Sequence, residues 1–336
     1  MVAGQLRGAL LWLLSPLGAL LAALLLGWPA GAGALGVDQP PTARALQRET
    51  RELMDDPAYR AHSTPPPQRQ SSGGTAPSDL EPSAGALFPE QRLVTLYGAP
   101  QLSATALGKR TPGGAARRVV RQAGPYERLG DRDVVVGFDL IGVVATASPG
   151  ADGLYRTRQP SELIATYLER ARALGGRLVI DIQPGRSSVR EELEALDPWL
   201  REPDVDIAID PEWNVGPRGV PGRTRGTITA DELNRASRRL AAIVAEEGLP
   251  PKLMVVHQFR RGSIHHRRLI KQREGVTATL NFDGIGSPAA KEAGYAALAR
   301  PRLFNGFSLF YDLDAALMSP RSVLALVPEV DFLLYQ

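Results

Sequence analysis

Acidic residues recur at the ends of apolar runs in this 336-residue chain: Asp139, Asp181, Asp210 with Glu212, Asp283 and Asp312. Carboxyl groups held close together cannot all ionise, so a cluster of them yields a proton donor beside an ionised partner from one residue type. The segment Ile209-Asp210-Pro211-Glu212-Trp213 is the sharpest case, since two acids two residues apart share a face and an aromatic ring follows. Glu212 as general acid, with Asp210 and Asp181, forms the candidate catalytic set. The competing reading gives these acids only hydrogen bonds or salt bridges at strand ends.

Other residues of the same kind end neighbouring runs. Asp181-Ile182-Gln183-Pro184-Gly185-Arg186 joins an acid and an amide to a turn and a cation, while His257-Gln258-Phe259 supplies a possible acid, base or ligand. The candidate substrate-binding residues are Tyr97, Asp139, Gln183, Trp213, His257, Gln258, Asp283, Tyr311 and Asp312. Trp213 is suited to stacking on a sugar ring. No cofactor is expected, and the alternative is a hard divalent cation such as Mg²⁺ drawn by Asp181, Asp210 or Glu212, His257 and Asp283. A basic run, Arg260-Arg261 with His265-His266-Arg267-Arg268 and Lys271, suits an anionic polymer or a solvated helix face. No P-loop, H-E-x-x-H or G-x-S-x-G is present.

Eight elements must position these side chains. Strands are predicted at residues 93–97, 134–142, 178–183, 205–210, 253–258, 276–283, 304–312 and 330–335. Helices are predicted over 115–129, 161–174, 189–200, 230–247, 287–298 and 319–326, the segment after the fifth strand being less regular. Thr229 and Glu232 form a capping signal for the helix at 230. Alternating β and α implies a parallel sheet, and acids at the strand ends then gather on one face of an α/β (β/α)₈ TIM-like barrel lacking a final helix. Period two sorts the faces: Asp206, Ala208, Asp210 and Glu212 point inward on strand four, as do Thr277, Thr279, Asn281 and Asp283 on strand six. On strand five either His257 or Gln258 points in.

Three segments follow: residues 1–35 as a signal peptide or membrane anchor, 36–86 as a disordered Pro/Ser/Gly-rich linker, and 87–336 as the barrel. Residues 9–28 are almost wholly apolar behind Arg7, so the rest of the chain is expected to be exported, secreted or anchored to the outer face of the cytoplasmic membrane. Lys and Arg number 39 against 36 Asp and Glu, a net charge of +3, which gives no indication of nucleic acid as a partner. The absence of cysteine excludes disulfides, thiolate metal sites, cysteine nucleophiles and lipoprotein anchors.

The Asp-x-Glu-aromatic ending of strand four resembles the close of the motif of family 18 glycoside hydrolases, and Tyr311-Asp312 is similar to that family's strand-end Tyr-Asp. The resemblance implies Glu212 as general acid and Asp210 orienting a reacting acetamido group. The earlier acid of that motif is Ala208 here. The wider resemblance is to exported actinobacterial barrel proteins. The expected function is hydrolysis or binding of a cell-envelope or extracellular polysaccharide, with the membrane as partner if the N-terminal segment is uncleaved; the alternatives are a metal-dependent barrel hydrolase or lyase and a non-catalytic glycan-binding barrel.

Overall fold

The computed structural model describes residues 85–336. The expectations for 1–35, and for all but the last two residues of 36–86, lie outside the described residues. Eight strands follow one another as expected: β1 (Gln91–Gly98), β2 (Asp133–Ala145), β3 (Arg177–Ile182), β4 (Val205–Ile209), β5 (Lys252–Gln258), β6 (Val276–Phe282), β7 (Phe304–Leu309) and β8 (Phe332–Tyr335). Each pairs in parallel with the next, and β8 returns to β1 with Leu93 opposite Phe332, so the sheet closes into a (β/α)₈ barrel. A short strand, Arg156–Arg158, runs antiparallel to the end of β2.

The helices are α1 (Pro112–Leu129), α2 (Ser161–Arg172), α3 (Val189–Ala195), α4 (Asp197–Leu200), α5 (Ala230–Glu247), α6 (Pro288–Leu298) and α7 (Pro320–Leu324). At α5 the Thr229 hydroxyl accepts from the Glu232 amide while the Glu232 carboxylate accepts from the Thr229 amide, the box read from the sequence. The single helix expected over 189–200 is two, because Pro198 has no N–H to continue the ladder and instead sits in the first turn of α4. The connection from β5 to β6 has no α-helix; its 3₁₀ turns, Arg261–Ser263 and Arg267–Leu269, flank a two-residue strand, Ile264–His265.

Alternation builds two cores. Val205, Ile207 and Ile209 of β4 and Val276, Ala278, Leu280 and Phe282 of β6 pack into the layer shared by sheet and helices. Leu93, Val179, Ala208, Leu253, Val255, Phe332 and Leu334 fill the barrel interior. Full burial of each large aliphatic side chain contributes about 1.5–3 kcal/mol, and a one-residue slip of any strand would exchange the two sets. At the N-terminal end of the barrel Arg177 grips Asp206 with two hydrogen bonds of 2.8 and 2.7 Å, and Asp206 also accepts from the Leu253 amide. That inward acid is thereby neutralised apart from the others.

Candidate functional site

At the C-terminal mouth the inward positions converge. Tyr97, next to last in β1, lies opposite Asp139 of β2. Asp181 lies on β3, His257 on β5 opposite Asn281 on β6, and Asp210 and Asp283 just beyond β4 and β6. Glu212 stands on the single 3₁₀ turn Pro211–Trp213. This turn is fastened on both sides: the Val215 amide donates to Gly185 O (3.0 Å) and the Gly226 amide to Glu212 O (2.7 Å). A Cβ on Gly226 would lie 2.5 Å from both Glu212 O and Pro211 O, so a glycine is needed for the returning loop to come this close.

The cluster is almost sealed. Asp139 and Asp181 are fully buried, and His257, Glu212, Asp283 and Asp210 expose 6% or less. Tyr97 OH donates to Asp181 Oδ2 (3.1 Å) and accepts from Gln183 Nε2 (3.1 Å), whose Oε1 takes the Ala145 amide. His257 Nδ1 is 3.7 Å from Asp283 Oδ2 and 3.1 Å from the Asn281 side-chain amide, which reaches Ser308 Oγ at 2.8 Å. With the imidazole protonated, Nδ1 donates and the Asn281 amide turns its oxygen toward it. Gln336 Nε2 donates to the other Asp283 oxygen (2.9 Å).

These contacts divide the protons unequally. Burial opposes ionisation of Asp283, but His257 and its neighbours hold that carboxyl below its ordinary value. Burial likewise opposes charge on His257, yet Asp283, Asp181 and Asp210 hold the imidazole well above its ordinary value. An ionised pair results. Burial and then Asp181 push Asp139 well up, burial and then Glu212 push Asp210 well up, and Asp181 is raised by burial against the pull of His257. Glu212 is raised to about 8, first by burial and then by Asp283. The expected coupling of Asp210 with Glu212 thus falls mainly on Asp210.

Several buried polar atoms here have no hydrogen-bond partner: both Asp139 oxygens, Asp181 Oδ1, Glu212 Oε1, His257 Nε2 and the Asn281 amide atom turned away from His257. Leaving such a group unsatisfied costs about 1–3 kcal/mol. Six in one cluster mark a place built for something other than stability. Among the described residues, no group of three or more His, Asp or Glu is arranged to hold a metal ion.

Three candidates lie elsewhere. Gln258 has the opposite parity to His257, faces the helix layer, and accepts from Arg267 Nη1 (2.7 Å) while donating to Leu298 O. Tyr311 stacks on Tyr335 and bonds to Arg118 and Gln122 of α1, again outside the barrel. Strand β7 ends at Leu309, because the Phe310 amide turns to the Asp314 carboxylate; Asp312 therefore stands exposed, paired with Lys109. Trp213 is buried against Ala145 instead of presenting a ring face to solvent. Ser308 and Gln336 are partners that the sequence reading missed, and parity on β7 and β8 was the available signal.

Fold and site together define a (β/α)₈ barrel with a buried carboxyl–imidazole cluster at the C-terminal ends of its strands, where barrel enzymes carry their chemistry. No protein-family model matches the chain, and no curated protein matches it.

Proposed function

We propose that the protein is a glycoside-hydrolase-like enzyme acting on a cell-envelope or extracellular polysaccharide, with Glu212 as proton donor. The observation that carries this reading is the Glu212 carboxyl, buried at the barrel mouth with a free Oε1; burial and Asp283 raise its pKa to about 8. Such a group can protonate a glycosidic oxygen at neutral pH as the C–O bond breaks. Asp181 is the less strongly raised neighbour, held by Tyr97 with Oδ1 free, and its carboxylate would face the positive charge that develops on the sugar. A water then adds to the sugar carbon and returns a proton to Glu212, closing the cycle. The His257–Asp283 pair, from the neighbouring β5 and β6, and Gln336 complete the cluster. Export through residues 1–35 belongs to the same proposal.

A screen of neutral and acidic glycans with wild type and Glu212→Gln, each with and without chelator, tests it. The variant should be slower by at least about 10²-fold, the scale of general acid catalysis. Equal rates in the two proteins would overturn the proposal. Loss of wild-type activity to chelator would favour a metal-dependent reaction instead.

A further inference from the structure

Two cations share one aromatic ring beside the proton donor. The guanidinium carbon of Arg225 lies 6.0 Å from the Phe259 centroid and that of Arg260 5.7 Å from it. Phe259 directly follows β5. Arg225 immediately precedes Gly226, whose amide is bound to Glu212 O. Both cations act on the Glu212 carboxyl, pulling its proton affinity down against the larger effect of burial and the push of Asp283.

Their pairing is costly. Burial, and then the charge of Arg225, disfavours the charge on Arg260, which only Glu212 helps to offset. Among the described residues neither guanidinium has a carboxylate within ion-pair distance, and Arg260 Nε is buried with no hydrogen-bond partner. Arg177, Arg156 and Arg132 are by contrast neutralised by Asp206, Glu192 and Asp331, while Arg92, also without an ion pair among the described residues, lies away from the site and gives its Nε to Val330 O. The basic run of the sequence is also divided in space. Arg267 is spent on Gln258 and Leu298 O, and Arg261, His265, His266 and Arg268 are exposed, which leaves Arg260 as the member of that run coupled to Glu212. Gly262 lets it lie there, since a Cβ at that position would meet Arg260 Nη1 at 2.3 Å.

Unneutralised guanidinium groups offer planar N–H forks that match carboxylate, sulfate or phosphate oxygens. We infer that Arg225 and Arg260 form an oxyanion subsite beside Glu212 and that the polysaccharide processed there is acidic, with a carboxylate, sulfate or phosphate next to the scissile bond. The substrate half of this inference rests on the reading of Glu212 as a glycosidic proton donor. A bound oxyanion would cancel the cations' pull on Glu212, so the acidic substrate itself would secure the proton that the reaction uses.

Calorimetric titration of the full chain with glucuronate, sulfate, inorganic phosphate and glucose tests the subsite, in wild type, Arg225→Gln and Arg260→Gln. Oxyanions should bind, each substitution should weaken them at least about tenfold, added salt should weaken them further, and glucose should bind no better than background. The order of the three anions identifies the substituent. Arg225 is exposed, so its variant keeps the test open if Arg260→Gln fails to fold. Unchanged anion affinity in the folded variants, or equal binding of glucose, would overturn the subsite. If Glu212→Gln abolishes turnover but neutral glycans are cut as fast as acidic ones, the acidic substrate is wrong and the proton donor stands. If anion binding needs both arginines while Glu212→Gln retains full turnover, the subsite stands and the glycosidase reading falls.

Discussion

The buried proton of Glu212 has a thermodynamic signature that needs no substrate. In the unfolded chain this carboxyl ionises near its ordinary value of 4.5, whereas in the folded chain it keeps its proton to about 8, through burial first and Asp283 second. Between those two values the folded state binds more protons than the unfolded state, so stability must fall as pH rises, by about 1.4 kcal/mol per pH unit. Across the window the loss comes to about 5 kcal/mol, a large part of the 5–15 kcal/mol margin of an ordinary domain. Glutamine cannot ionise. Glu212→Gln should therefore match the wild type near pH 4, apart from a constant offset, and become progressively more stable than it up to pH 8. Asp210, relieved of the Glu212 charge that helps raise it, adds an effect of the same sign. Urea unfolding of both proteins at half-unit steps from pH 4 to 8.5 measures the difference. Parallel stability curves would refute the assignment of a buried, protonated Glu212.

Other expectations follow from the same contacts. Asp283→Asn should lower the His257 pKa, because the first carboxylate holding the imidazolium is gone; proton NMR of the imidazole resonances reads this directly, and an unchanged titration would remove the ion pair from the account. Lys291→Met should cost about 3–5 kcal/mol in urea unfolding, since it strands Asp314 in a fully buried pair, and Lys291→Met with Asp314→Leu should recover most of that loss. Gly226→Ala should displace the Glu212 turn and cut turnover about tenfold or more with only a modest change in Tm, a result that wild-type rates would contradict.

Much of this arrangement was legible because strand periodicity is short and strict. Asp206, Ala208 and Asp210 could be placed inward from β4 alone, and the structure has them so, as it has Thr279 and Asn281 on β6. His257 and Gln258 were inseparable because β5 is apolar on both faces from Leu253 to Val256, so no alternation marks its parity. Tyr311 and Asp312 were drawn into the site by extending β7 past Leu309, and the competing Asp314 bond that ends the strand lies downstream of any strand pattern. The Arg225–Arg260 pair lay beyond sequence reasoning for another reason: 35 positions separate two loops that meet only because β4 and β5 are neighbours in the sheet.

Closing the barrel through β1 and β8 also sets a schedule for synthesis. Leu93 and Phe332 are about 240 residues apart in the chain, and at 5–20 residues per second the partner strand emerges some 12–48 s later. During that interval β1 can pair with β2 but presents its other edge, the apolar row Leu93 to Tyr97, to whatever is near. An unpaired apolar edge is a template for association between nascent chains. In the closed barrel β1 is paired on both sides, so this hazard at β1 belongs to the ribosome-bound chain, and slower elongation before β8 would lengthen it.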